Sequence, residues 1–349
     1  MKAAVLEKVG QLELREVPDP LCPEDGLLMD IGACAVCGTD VKVWRHGHKH
    51  IRPPRVTGHE LAGTVLEVGV NVSGFSAGDR VAVAPAVPCG QCPYCHAGAQ
   101  GMCDDLTAIG YHYDGGFAEM MAVPPRAVRN GCVNPLPDGL SFAEAAIAEP
   151  LACCINGQEL SGVKLGDTVV VMGSGPIGCF HIQLARALGA AQTVLVDISA
   201  DRLAMSAPAK ADVYFDSSKA DPVQAVMDLT GGRGADVIIT ACSVGAAQEQ
   251  ALQMVAKRGN VNFFGGLPKD NPYIKFDSNL PHYKEFTVVG THGSAPRHNK
   301  LALDLIASGR IDAESLITHK LPLDRVIEGI ETTERAAGLK VIIEPNGSR

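Results

Sequence analysis

No run of about 18 consecutive apolar residues occurs in the 349-residue sequence, so no segment is predicted to cross a membrane. A basic surplus is also missing. Lys and Arg number 30 against 39 Asp and Glu, a formal net charge of -9, and nucleic acid is not an expected partner. The opening MKAAVLEKVGQLELREV has a charge every few residues and no apolar h-region, so it does not read as a signal peptide. Repeats and low-complexity tracts are absent. Apolar residues make up 46% of the chain, enough for a full core, and the length suggests two domains. Cysteine is plentiful at 12 residues. Cys22, Cys34, Cys132, Cys179 and Cys242 are scattered singly. Scattered thiols suit a reducing cytoplasm, where close-set cysteines more often bind metal than pair.

Texture divides the chain. Up to about residue 150 it reads as short strands broken by glycine and proline, as in LAGTVLEVG (61–69), DRVAVAP (79–85) and FAEMMAV (117–123), a barrel-like pattern. At 162–199 a buried apolar strand leads to a Gly-rich turn, an amphipathic helix ending at Gly189 and a second apolar strand. Strand-like runs at 235–242 and 259–266, with helical stretches between, continue the βαβ alternation of a parallel sheet. A helix over 299–310 and a closing strand over 339–345 complete the reading. The fold class is α/β.

GSGPIG supplies Gly173, Gly175, Pro176, Ile177 and Gly178 between strand and helix, and VLVD ends in Asp197, 19 residues beyond Gly178. In that context the turn predicts a dinucleotide site. Gly173 allows the tight turn, Gly175 lets the backbone approach a pyrophosphate, and Gly178 permits close helix–strand packing. Asp197 can accept bonds from the adenosine ribose and would repel a 2′-phosphate, which favours NAD over NADP. Arg202 stands near enough to bear on that choice, although a surface helix arginine is the simpler account of it.

PCGQCPYCHAGAQGMC (88–103) places Cys89, Cys92, Cys95 and Cys103 at C-x2-C-x2-C-x7-C. Four thiolates without an open position make a closed structural site of the kind zinc occupies. An iron–sulfur cluster is the competing use of such spacing.

Three further segments carry metal-ligand chemistry. VCGTD holds Cys37 and Thr39, TGHELAG holds His59 and Glu60, and AEPLACC holds Glu149. No spacing rule joins them. Read alone they are a buried cysteine, a strand end and a turn residue before proline.

Taken together, CGTD, GHELAGTV, the four-cysteine lobe, GSGPIG and ITHKLPLD run in order along the whole chain, and the chain resembles the zinc-dependent medium-chain dehydrogenases/reductases. AEPLACC is similar to the polyol branch (sorbitol, L-iditol and galactitol-phosphate dehydrogenases), and CGTD is similar to the threonine dehydrogenases. The resemblance implies a GroES-like β-barrel catalytic domain from 1–155 and 290–349, and a Rossmann NAD-binding domain, a doubly wound parallel sheet, over 156–289. It implies two zinc ions per chain, one structural and one catalytic. Cys37, His59 and Glu60 would ligate the catalytic ion, with Glu149 either ligating or holding the bound water. Zinc, one thiolate, one imidazole and one carboxylate sum to zero charge, and a second carboxylate would weaken the Lewis acid. One of the two glutamates is therefore expected to bind weakly or exchange.

The implied activity is NAD-dependent oxidation of a secondary alcohol, a polyol or sugar derivative, to a ketone. Thr39 would take the hydroxyl proton. His46, His48 and His50 are later relay members or solvated loop histidines. A threonine or 2,3-butanediol dehydrogenase is the alternative enzyme, and a non-catalytic nucleotide-binding relative the alternative of another class. The resemblance also implies a cytoplasmic homo-oligomer, a dimer or a homotetramer. It departs at the sugar contacts: animal sorbitol dehydrogenases carry an Arg-Tyr pair where GTHGSAPRH places Gly293 and Ser294, and an aromatic where Val43 stands. His292 is the nearest substitute.

Overall fold

In a computed structural model, residues 1–347 are described, and they divide into two compact units. The first comprises Met1–Ala152, Gly293–Gly309 and the chain from Ala313 onward; the second comprises Cys153–His292 with Arg310–Asp312.

The first unit is organised by one central strand, Leu27–Ala35. It pairs antiparallel with Glu60–Val68, with Lys340–Glu344 and with Met120–Val123. Arg80–Val83 and Val133–Pro135 extend the sheet on one side, and Ile317–Pro322 on the other. Burial alternates along most of Leu27–Ala35 because one face meets the core. Leu27, Met29, Ile31, Leu61, Phe117 and Met121 are wholly inside that core. The strands expected at 61–69, 79–85 and 117–123 form, shifted by a few residues.

Helices interrupt the all-β texture that this region suggested. Gly38–His46 follows the central strand directly. Ser141 caps Phe142–Ala146 through a reciprocal bond with Glu144, a serine-to-glutamate capping box. Ala148–Ser161 begins with Glu149 and Pro150 in its first turn. Glu before Pro read as a turn residue; proline is tolerated there because an N–H in the first turn has no intrahelical acceptor.

The second unit is a six-stranded parallel sheet. In spatial order its strands are Val213–Asp216, Gln192–Asp197, Thr168–Met172, Ala235–Thr240, Val255–Phe263 and Thr287–Gly290. Numbered along the chain this is 3-2-1-4-5-6, the order of a doubly wound dinucleotide fold. Every residue of the central Thr168–Met172 is buried, which explains its unbroken apolar run in place of alternation. The helix Pro176–Ala187 follows it and gives way to Gly189 at φ 90°. Among the described residues no helix is long and apolar enough to cross a membrane.

Candidate functional site

The central strand of the first unit runs out into Val36 and Cys37, and its two neighbours deliver the other groups. Glu60 lies opposite Ala35 in the register, and Lys340 opens the strand on the far side. Cys37 caps the helix Gly38–His46, and its N–H donates to Asp40 Oδ2 at 2.9 Å. Asp40 thus fixes the turn that presents the Cys37 thiol. Its other oxygen lies 3.6 Å from His59 Nδ1, the carboxylate–imidazole pairing that orients a metal-ligating histidine.

Cys37 Sγ, a His59 ring nitrogen and a Glu60 oxygen lie within 4.8 Å of one another. Glu60 is fully buried; one of its oxygens bonds Lys340 Nζ, and the other, Oε1, has no partner among the described residues. An orphaned carboxylate oxygen beside a thiol and an imidazole is a donor set that fits a zinc ion. Burial opposes charge on His59, but Asp40, Tyr111 and Cys37 outweigh it and hold its pKa well above the usual value. Burial also opposes charge on Lys340, and Glu60, with Cys37 behind it, raises that pKa nonetheless. Thr39 Oγ1 is 3.5 Å from Cys37 Sγ.

Glu149 is outside this close group. It is half-buried in the first turn of its helix, near enough for its charge to act on Tyr111 and Lys340. Three residues of the site went unremarked in the sequence. Asp40 was in plain view inside CGTD. Lys340 carried a signal in being a lysine within an otherwise apolar strand, LKVIIEP. Tyr111, whose ring lies 5.7 Å from that of His59 and whose pKa burial pushes up to about 12, carried none.

The four-cysteine lobe is equally compact. The sulfurs of Cys89, Cys92, Cys95 and Cys103 lie within 4.8 Å of one another. Backbone amides converge on them: Gln91 and Cys92 donate to Cys89 Sγ, and Cys89 donates to Cys103 Sγ. A backbone bond near Asp104 leads the effects that lower the Cys92 pKa to about 6, whereas burial pushes Cys103 up to about 12. Arg126 braces the lobe from outside, donating to the Pro88 carbonyl at 2.9 Å and to Asp105. Four converging sulfurs served by backbone N–H groups fit a closed tetrahedral ion.

In the second unit the GSGPIG turn has the geometry its glycines predict. Gly173 takes φ 112°, and a side chain on Gly178 would come within 1.9 Å of the Gly173 carbonyl. Asp197 Oδ2 accepts from the Ser174 N–H and hydroxyl, both at 2.8 Å, and Oδ1 accepts from Ser199 N–H. The carboxylate therefore ties the turn to the next strand. Arg202 is not a detached surface arginine: its Nη2 lies against Gly175, 3.2 Å from where a side chain there would begin. Pro176 and Ile177 open the helix that follows. Ser294 is buried with its hydroxyl facing Asn299, and His292 is exposed.

Two family models match the chain: an alcohol dehydrogenase GroES-like domain over residues 23–137 and a zinc-binding dehydrogenase over 176–308. D-Arabitol-phosphate dehydrogenase of Enterococcus avium is 31% identical, covering 96% of this chain and 94% of its own. Sorbitol dehydrogenase of Bacillus subtilis is 30% identical, covering 99% and 98%. A protein assigned as a zinc-binding dehydrogenase from Sinorhizobium meliloti, solved with NADP bound, superposes with a TM-score of 0.92 at 34% identity over 99% of both chains.

Proposed function

Because this chain belongs to the zinc-dependent medium-chain dehydrogenase/reductase family, we propose that it oxidises the secondary hydroxyl of a polyol or sugar derivative to a ketone, with NAD as hydride acceptor. The observation that carries this reading is the convergence of Cys37, His59 and Glu60 around a carboxylate oxygen that has no partner. In this reading those three residues hold the catalytic zinc and Glu149 acts close by, exchanging or weakly bound. Zinc there supplies Lewis-acid polarisation of the substrate hydroxyl. Thr39 accepts the hydroxyl proton. Asp40 keeps His59 and Cys37 aimed. Cys89, Cys92, Cys95 and Cys103 hold a structural zinc. The zinc work belongs to residues 1–155 and 290–349 and the NAD work to 156–289.

Gly173–Gly178 and Asp197 would hold the dinucleotide, with the Asp197 charge disfavouring a 2′-phosphate. The position of Arg202 against Gly175 is the observation that favours NADP instead, since an arginine there can accommodate that phosphate. The reading extends to a cytoplasmic homo-oligomer of two or four subunits; the cysteines scattered singly along the chain support the reducing setting. A screen of NAD and NADP reduction across polyols, sugar phosphates, butanediol and amino alcohols tests the proposal. Turnover of polyols with NAD is expected. Turnover confined to amino alcohols would replace the substrate class, and none with any alcohol at two zinc per chain would remove the activity.

A further inference from the structure

The segment 109–117, after the short strand Thr107–Ala108, is laced to the backbone that leads into His59. Gly115 N–H donates to the Val56 carbonyl at 2.9 Å, Gly116 N–H to that of Gly58 at 2.9 Å and Phe117 N–H to that of Thr57 at 3.0 Å. Side chains are excluded from this seam. A Cβ on Gly110 would stand 3.0 Å from the Gly58 carbonyl oxygen, and one on Gly115 2.1 Å from it. Gly110 also takes φ 78°, in the left-handed region open to glycine. Between these two glycines the N–H groups of Tyr111, His112 and Tyr113 all point to the Ala108 carbonyl. The turn is therefore held on both sides, and it presents Tyr111 to the candidate zinc site.

The Tyr111 ring lies between two imidazoles, 5.7 Å from that of His59 and 5.1 Å, edge-on, from that of His48. Its hydroxyl is the polar end left over. It forms no hydrogen bond among the described residues, whereas the hydroxyl of Tyr113, two residues on, is engaged with Thr107 Oγ1 at 3.4 Å. Yet it is close enough to His59, Asp40, Cys37 and Glu149 for charge on each of them to act on it. The side chain is half-buried, and a phenol is protonated at neutral pH. A rigidly held O–H thus stands among the candidate zinc ligands without a protein partner.

We propose that the Tyr111 hydroxyl is a specificity-determining contact, donating to the hydroxyl on a carbon next to the carbinol that is oxidised. The inference rests on the polyol reading above and assigns recognition of the polyol to one residue. A carbinol inside a polyol chain has a hydroxyl on each neighbouring carbon, and a simple secondary alcohol has neither. A phenol donates one bond and accepts others, the complement of an alcohol O–H. A polar group placed for a substrate hydroxyl also rejects the analogue that lacks it, because the group is then left unpaired.

The test is a cycle of substrate and enzyme changes. kcat/KM is measured for a pentitol and for its two deoxy analogues, each lacking the hydroxyl on one side of the oxidised carbon. Wild type and Tyr111→Phe are compared at the same zinc content. Phenylalanine keeps the ring that packs on His48 and His59 and removes only the hydroxyl. Wild type should prefer the pentitol over one analogue by about ten-fold, the scale of one hydrogen bond. In Tyr111→Phe that preference should fall to about one. Independently of turnover, calorimetric titration of the pentitol into the holoenzyme with reduced dinucleotide present should give a Kd about ten-fold weaker in Tyr111→Phe. A wild type indifferent to both hydroxyls overturns the contact and leaves the polyol dehydrogenase standing. So do equal losses on all three substrates, preferences over both analogues that survive Tyr111→Phe, or an unchanged Kd. Oxidation of no polyol by wild type overturns the polyol reading and the contact together.

Discussion

Lys340 donates to Glu60 in the interior of the first unit, and both side chains are almost wholly buried, at 3% and 1% exposure. The same ammonium donates to the Val36 carbonyl at 3.0 Å, one residue before Cys37. Lys340 therefore joins the end of the central strand to a candidate zinc ligand borne on the neighbouring one.

Removing one member of a buried ion pair strands the other. Lys340→Met leaves the Glu60 carboxylate without its counter-charge, and a loss of about 3–5 kcal/mol is expected. Denaturant unfolding of the metal-free proteins, where no ion offers Glu60 a second counter-charge, measures it. Lys340→Arg retains the charge and should recover much of the loss. A fully stable Lys340→Met protein would show that Glu60 does not depend on this partner.

Cys103→Ser removes the most buried of the four lobe sulfurs. Metal binding at such a site is part of the folding free energy, so the variant should unfold at lower denaturant and retain about one zinc per chain. Metal analysis alongside unfolding decides it. A normally stable protein with two zinc would remove the clamp role of the lobe.

Asp197→Ala takes two acceptor oxygens from Ser174 and Ser199, as well as the charge that would face a ribose in the proposed dinucleotide site. NAD affinity should fall, and the ratio of kcat/KM for NAD over NADP should fall about ten-fold or more, roughly the 1.4 kcal/mol of one interaction. A wild-type chain already preferring NADP would transfer the deciding role to Arg202.

The architecture was legible wherever local rules suffice. Strand TVVVM, Gly173 and Gly178 form a unit whose requirements are satisfied within about 30 residues, and the structure follows them. The four cysteines sit in one loop for the same reason. Cys37, His59 and Glu60 are different: 22 residues separate Cys37 from His59, and only strand pairing brings them together. Lys340 comes to Glu60 from the other end of the chain. Such proximity is a product of sheet register, which no local spacing encodes, and so resemblance had to supply the ligand set and could not supply Lys340 or Tyr111.

His181 gives the fold a pH limit of its own. It is fully buried in the helix Pro176–Ala187, where Gln158 donates to its carbonyl at 2.7 Å and lies 3.2 Å from its Nδ1. Its ring stands edge-on to Phe264, and burial lowers its pKa to about 3. The unfolded histidine titrates near 6.5. Below that pH the unfolded chain binds a proton that the native chain refuses, so stability falls as pH drops from about 6.5 toward about 3. The slope attributable to this residue is roughly 1.4 kcal/mol per pH unit. His181→Gln should flatten the stability curve between pH 6 and pH 4 relative to wild type. Parallel curves for the two proteins would mean that His181 accepts its proton within the fold.

The two glutamates of the candidate zinc site stand differently in the structure, and that difference can be tested. Glu60 shares a 4.8 Å group with Cys37 and His59, while Glu149 lies outside it, its charge still acting on Lys340 and Tyr111. Glu149→Cys preserves a potential anionic ligand but makes it softer, with a Zn–S bond of about 2.3 Å against about 2.0–2.2 Å for oxygen. A sulfur donor should hold zinc tightly and admit additional oxygen ligands less readily. A vicinal polyol offers two adjacent hydroxyls to one metal, and a simple secondary alcohol offers one. The variant should therefore keep two zinc per chain and lose about ten-fold more activity on vicinal polyols than on simple secondary alcohols, a difference of about 1.4 kcal/mol in transition-state binding. Glu60→Gln removes the charge that faces Lys340 and the oxygen that has no other partner, and should release the catalytic zinc. Zinc content and rates on both substrate types separate the two roles. Equal losses on both substrates in Glu149→Cys would exclude chelation of adjacent hydroxyls, and retention of zinc by Glu60→Gln would transfer the ligand role to Glu149.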